Sequence, residues 1–355
     1  MRPESKPLAL QGLTDAALCA AVPGLAPAQA RAVLAAVHRD RPLSPRPGLP
    51  RAALEAVLAR GAAPELAIAE ERASSVDPFR KLVLTTGDGR AVECVAIPLE
   101  RPGRVSVCVS SQVGCALACA FCATGRLGLA RNLEPWEMVE QVRAVRRRLP
   151  AGARVHGVVF QGMGEPLANL DRVAAAIAVL TAPYAGAIDA RAITVSTAGL
   201  PDGIRRLARL APRVRLALSI GSARPEVRER LMPIARAHPL DQVIDAAVDH
   251  ARATGLAPMW AVTLLAGVND AAEDARALAE LAARFAARAG VRPRVSVLDY
   301  NPIGHAGEDP FRRSSPAAAA AFRDALAAAG LRSHRRYSGG ADIAAACGQL
   351  AARLG

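Results

Sequence analysis

Apolar positions along the chain fall into three successive patterns. Up to about residue 70 they recur at helical spacing, in short segments over 13–22, 27–38 and 51–60. Gly24-Leu25-Ala26-Pro27 and the proline-rich stretch 42–48 interrupt them, so the pattern predicts a small, separate helical region. Next come two extended apolar runs, 82–84 and 92–97, on either side of a Thr-Gly-Asp-Gly turn at 86–89, which predicts a β-hairpin. A further extended run covers 105–109. Beyond it, short apolar runs alternate with longer helical ones. Strand 155–160 precedes helix 170–180, and 192–196 precedes 203–210. Strand 214–220 precedes helices 225–235 and 240–254, 258–265 precedes 271–287, and 295–298 precedes 316–328. Such alternation implies a parallel sheet with helices outside it. About six units without a dinucleotide fingerprint predict an α/β fold, a partial (β/α)6 barrel whose site lies at the C-terminal strand ends. The pattern divides the chain into a helical accessory region 1–75, a hairpin linker 76–104, the barrel 105–310 and a C-terminal helix and tail 311–355. Gly164, Glu165, Ser196, Ser219 and Asn301 fall at the predicted strand ends.

Composition narrows the class. The chain has 355 residues, 52% hydrophobic and 22% charged, which is the balance of a globular protein. Its formal charge is +13, and only two lysines, Lys6 and Lys81, stand among its 45 cationic residues. That excess fits a polyanionic partner such as RNA. Arginine and alanine saturation also follows from GC-rich coding, so charge alone does not decide the matter. Aromatic residues make up 3%, which leaves few stacking platforms of the kind RNA readers use. No apolar run approaches the ~18 residues of a membrane span. The first residues also lack the apolar core of a signal peptide. The expected location is therefore the cytoplasm. Seven cysteines in a reducing compartment, three of them crowded together, point to metal binding or catalysis rather than to disulfides.

The crowded cysteines are Cys115, Cys119 and Cys122, in Cys-x3-Cys-x2-Cys spacing. Three thiolates at this spacing can hold one 4Fe-4S cluster and leave its fourth iron open. A structural zinc ion would need four ligands, the fourth from Cys108, and would make the chain a non-catalytic, zinc-stabilised RNA-binding protein. The trio, followed by Ala123-Thr124-Gly125, resembles the radical S-adenosylmethionine (SAM) enzymes. That resemblance implies a 4Fe-4S cluster whose open iron chelates SAM, and SAM cleavage to a 5′-deoxyadenosyl radical.

The wider motifs sharpen the resemblance. Cys108-Val-Ser-Ser-Gln-Val-Gly-Cys115 precedes the trio, Gln161-Gly-Met-Gly-Glu-Pro-Leu-Ala-Asn169 follows an early strand, and Ala341-Asp-Ile-Ala-Ala-Ala-Cys347-Gly-Gln-Leu350 lies near the end. From about residue 79 onward the chain resembles the dual-specificity RNA methyltransferases, which methylate adenine C2 in 23S rRNA and some tRNAs. A sister group acts at C8. Adenine C2 is electron-poor and does not attack the SAM methyl, so a radical route is needed. The resemblance implies that Cys347 first takes a methyl group and later carries the carbon that adds to C2. It implies that Cys108 then attacks the Cys347 sulfur to free the product as a disulfide forms. Glu93, in Val92-Glu93-Cys94-Val95-Ala96-Ile97-Pro98, matches the base that takes the C2 proton. Gly164, Glu165, Ser196, Ser219 and Asn301 match SAM contacts. The implied partners are 23S rRNA, some tRNAs and a reductant protein such as flavodoxin or ferredoxin, with the enzyme itself a monomer and no membrane involved. The chain also departs from the family pattern. Ser219-Ile220 is followed by Gly221 instead of histidine, the basic segment 28–39 lacks aromatics, and the arginine before the C-terminal Gly-x-Asp is replaced. Cys94, adjacent to Glu93 on a strand, is expected on the opposite face in the core, and Cys19 is expected on the apolar face of a helix.

Overall fold

Thr14 opens the first helix by accepting a hydrogen bond from the Ala17 amide at 3.2 Å. In this computed structural model, which describes residues 7–303 and 309–351, three helices follow: α1 (Asp15–Ala21), α2 (Pro27–His38) and α3 (Arg51–Leu58). They share a small core of their own around Leu10, Leu18, Val33, Leu34, Leu49 and Val57. Polar bonds fix this unit to the body. The Asp15 amide donates to Tyr184 Oη at 2.8 Å, and Arg143 Nη2 donates to the Val37 carbonyl at 2.9 Å. Cys19 is half-buried against the same small core.

The rest of the chain is organised by one ten-stranded sheet, whose strands lie side by side in chain order. They are β1 (Ala67–Ala73), β2 (Arg80–Thr85), β3 (Ala91–Pro98), β4 (Arg104–Val109), β5 (Arg154–Phe160), β6 (Ile193–Thr197), β7 (Arg215–Ser219), β8 (Met259–Leu264), β9 (Arg294–Asp299) and β10 (Ser333–Arg336). Neighbours from β1 to β4 pair antiparallel, and neighbours from β4 to β10 pair parallel. Helices α4 (Pro135–Arg146), α5 (Leu170–Thr181) and α6 (Pro201–Leu210) make the first three crossovers. Helices α7 (Pro225–Leu231) and α8 (Leu240–Thr254) share the fourth, and α9 (Ala272–Ala289) and α10 (Pro316–Ala328) complete the series. This is the expected partial barrel of six β/α units. Its central strands are apolar runs such as Val158–Phe160 because both faces are covered, and Val107, Val195, Leu216, Trp260 and Val295 are all at most 1% exposed. Among the described residues no helix is long and apolar enough to cross a membrane.

Four elements depart from the periodicity reading. Residues 67–73 are a strand, not helix; β1 is an exposed edge rich in Glu and Arg, which hides its alternation. β10, Ser-His-Arg-Arg, is polar for the same reason. Helix α4 shows no amphipathic stripe because nine of its twelve residues are buried, Glu137, Glu140 and Arg143 included. The helix expected over 225–235 breaks after Leu231, since Pro233 forces Met232 into an extended conformation.

Candidate active site

The two motifs flanking the first crossover fold against each other. Ser110 Oγ accepts from the Met163 amide at 2.8 Å, and the Ser111 amide donates to the Met163 carbonyl at 2.9 Å. Gln112 Oε1 accepts from the Glu165 amide at 2.8 Å, and Asn169 Nδ2 reaches the Ser111 and Leu133 carbonyls at 2.9 Å each. Gly164 must be glycine here. Its φ is +99°, and a Cβ would stand 2.5 Å from the Gln112 side chain. The motif residues are thus backbone partners across more than fifty positions of chain.

A two-stranded ribbon, Gln112–Cys115 with Gly128–Asn132, brackets the cysteine loop. Within the loop Ala118 takes a positive φ of 50°, and the Cys122 amide donates to the Cys119 carbonyl at 3.1 Å. A Cβ on Gly125 would lie 3.0 Å from the Cys119 amide nitrogen, so the Ala-Thr-Gly that follows the trio packs directly on it. Cys115, Cys119 and Cys122 all line one cavity. Gly164, Glu165, Ser196 and Ser219 line the same cavity, at the C-terminal ends of β5, β6 and β7. The Glu165 carboxylate accepts from the Leu167 amide at 2.9 Å and the Ala198 amide at 2.8 Å, while burial raises its pKa. Burial pushes the Cys115 thiol up to about 11 and the Cys119 thiol up as well.

The donor set can be tested against the two metal readings. Among the described residues, no three His, Cys, Asp or Glu side chains gather closely enough to hold one metal ion. A zinc ion needs its ligands within about 2.0–2.3 Å of one point. Cys108, the fourth ligand a zinc site would require, lies outside the trio's cavity. Three half-buried thiols spread along one cavity wall fit a larger group that meets each sulfur separately, as an iron–sulfur cube does.

Cys108 opens instead onto a second cavity, together with Phe79, Cys122, Arg336 and Tyr337. Cys122, Gln161, Gly162, Cys347 and Gly348 line both cavities. The Cys108 thiol is pushed up to about 12, first by burial and then by Cys347, with Arg336 opposing. All seven cysteines are free thiols. The Cys347 backbone is held on both sides: its amide donates to Ser338 Oγ at 2.8 Å, and its carbonyl accepts from Asn301 Nδ2 at 3.4 Å. The same segment is tied to the cysteine loop, where the Ala123 amide donates to the Gly348 carbonyl at 2.7 Å.

Two residues read as site members stand apart. Asn301 is not among the described residues lining the first cavity; its amide serves Ser338 and Cys347. Glu93 is 2% exposed and lines neither cavity. Its carboxylate pairs with Lys81 Nζ at 2.7 Å and accepts from the Ala351 amide at 2.7 Å. Lys81, which no sequence signal singled out, also donates to the Ala344 carbonyl at 3.1 Å. Cys94 sits in the main core on the opposite face of β3, as expected. The glycine that replaces the family's histidine is explained by its neighbours. Gly221 has φ +68°, and a Cβ there would stand 2.7 Å from Met232 Sδ.

A family model for the radical SAM superfamily matches residues 109–282. A probable RNA methyltransferase of Sorangium cellulosum is 58% identical, with 91% of this chain and 87% of that protein covered. A probable dual-specificity RNA methyltransferase RlmN of Moorella thermoacetica is 39% identical over 92% of each chain. The chain belongs to the radical SAM dual-specificity RNA methyltransferase family. The crystal structure of a radical SAM methyltransferase from Sphaerobacter thermophilus superposes with a TM-score of 0.86 at 36% identity, covering 97% of this chain and 99% of that one. In this member of the family the superfamily match begins at Val109, so both β1–β3 and the Cys347 segment lie outside it.

Proposed function

We propose that the protein methylates C2 of an adenine in 23S rRNA, and in some tRNAs, through a methyl group carried on Cys347. The observation that supports this best is the position of Cys347, on the wall common to the cysteine-loop cavity and the Cys108 cavity. In this reading Cys115, Cys119 and Cys122 hold a 4Fe-4S cluster, and Gly164, Glu165, Ser196 and Ser219 face SAM. Asn301 positions Cys347 rather than touching the cofactor. When bound, cluster and SAM supply a transferable methyl group and a hydrogen-abstracting 5′-deoxyadenosyl radical, with the electron coming from a flavodoxin- or ferredoxin-class protein.

The chain's own residues do the rest. The Cys347 sulfur accepts the methyl group, and its carbon, once a hydrogen is removed, bonds to adenine C2. Glu93 takes the C2 proton once Ala351 leaves its carboxylate, and the unpaired electron left on the base returns to the one-electron donor couple, so that a closed-shell S–CH2–C2 adduct remains. The Cys108 thiolate then attacks the Cys347 sulfur: an S–S bond forms, the S–C bond breaks, and its electron pair leaves with the base and picks up a proton. Arginine-rich surface meets the phosphates. The target base leaves its stack to reach the second cavity.

The Cys108→Ala protein tests this reading. It retains Cys347 and should become methylated and add to the base, yet it lacks the thiolate that releases the product. A nuclease-sensitive covalent protein–RNA band should accumulate on a denaturing gel, and mapping its digested adduct identifies C2 or C8. A folded, iron-loaded Cys108→Ala protein that turns over normally, or forms no adduct, overturns the mechanism.

A further inference from the structure

Three cationic side chains among the described residues are buried to 3% exposure or less: Lys81, Arg143 and Arg228. Lys81 is paired with Glu93, and Arg143 with Glu140 at 2.6 Å and with Asp40. Arg228 has no carboxylate among the described residues, although it is the most buried of the three at 1%. Its Nη1 donates to the Ser219 and Ile220 carbonyls, its Nη2 donates to the Ala198 carbonyl at 2.6 Å, and its Nε has no partner. Carbonyl dipoles solvate a guanidinium in part, but they do not cancel its charge, and arginine does not shed its proton to escape burial. An isolated buried cation of this kind calls for an anion nearby.

The charge that Arg228 faces is on the cysteine loop. Two of its acceptors, Ser219 and Ala198, line the same cavity as Cys119, whose charge Arg228 feels among the described residues. Helix α7, which carries Arg228, is bonded to that loop by the Ala120 amide on the Leu231 carbonyl at 2.9 Å. Three thiolates holding a 4Fe-4S core bear net negative charge, and reduction adds one unit more. A fixed buried cation therefore favours the reduced state, since net charge near a cluster is one of the levers on its potential.

We propose that Arg228 is the built-in counter-cation of the cluster, a positioning residue that braces the ends of β6 and β7 and makes the cluster easier to reduce. This rests on the reading that Cys115, Cys119 and Cys122 hold the cluster. The lever lies in the fold itself and acts before SAM or RNA binds.

The experiment compares wild type, Arg228→Lys and Arg228→Gln, reconstituted anaerobically with iron and sulfide and titrated by EPR-monitored reduction without SAM or RNA. Glutamine keeps a donor but removes the charge. Its reduction equilibrium should shift at least tenfold toward the oxidised cluster, about 59 mV for one electron. Lysine keeps the charge but not the forked brace, and should stay within threefold of wild type. Equal shifts in both variants, or no shift in glutamine, overturn the proposal and leave only a brace. If the glutamine protein retains no iron, the lysine protein decides: iron retention with a wild-type potential supports the proposal, and loss of either overturns it. A wild-type protein that binds no iron overturns the cluster reading itself, and this inference with it.

Discussion

The two cavities that meet at Cys347 are built by different means. The first is walled by the ends of parallel strands, where Ser196 and Ser219 are fixed by their ladders and Glu165 by backbone amides. The second has Cys108 on a strand but closes with a segment, beyond β10, whose described residues contain only a single short turn at Ala341–Ile343. Side chains from the antiparallel strands and their loops hold it. Asp342 binds Ser74 and Ser75, Asp77 binds the Gly340 amide at 2.8 Å, Lys81 binds Ala344 and Glu93 binds Ala351. The sheet thus supplies permanent geometry at the cavity proposed to bind SAM. Individually exchangeable bonds secure the thiol proposed to carry the methyl group.

The largest expected effect separates the two halves outright. Cys347→Ala should lower methylation to background, by roughly 10⁶-fold if it behaves as other covalent nucleophiles do. Its iron content should match wild type and its stability should fall by only about 1–3 kcal/mol. Loss of iron in this variant would mean that the cavities are not independently built.

A smaller effect falls on the tether. Lys81→Met removes the cation from the buried Lys81–Glu93 pair and should cost about 1–3 kcal/mol in chemical denaturation. The double variant Lys81→Met/Glu93→Leu should recover part of that, because the buried ion pair is then replaced as a whole by apolar side chains. Equal destabilisation of single and double variants would assign the tether to the Ala344 and Ala351 bonds instead.

The smallest concerns the release step alone. Burial holds the Cys108 thiol near 12 against an ordinary 9.0, so its thiolate is scarce at neutral pH. Single-turnover release of product should therefore accelerate with pH, roughly tenfold per unit between about pH 7 and 9. Methylation of Cys347, followed by mass spectrometry of the protein, should lack that Cys108-dependent slope. A flat release profile would place the limiting step before Cys108.

Legibility in the sequence followed the same division. The parallel units were readable because strands covered on both faces become short apolar runs, and the cysteine trio because its three thiols fall within eight residues of chain. Cys108 and Cys347 carry no local signal, lie 239 positions apart, and were reachable only through family motifs. Lys81 and Arg228 were not readable at all. Lys81 meets Ala344 across 263 residues, and Arg228 reads in Pro-Glu-Val-Arg-Glu-Arg as an ordinary solvated helix charge. Edge strands β1 and β10 escaped for the reverse reason, since solvent on their outer side permits the polar residues that erase a period of two.

The bond between Ala123 and Gly348 also bears on how the molecule is put together. Gly348 has φ +86°, and a Cβ there would stand 3.1 Å from the Phe121 carbonyl, so the tail lies hard against the loop proposed to receive iron and sulfide. The tail leaves the ribosome more than two hundred residues after that loop. Throughout this interval the cysteines are uncovered on the side that residues 347–350 later occupy. The three cysteines stay half-exposed once the tail is in place, so its docking narrows the approach to the loop without sealing it.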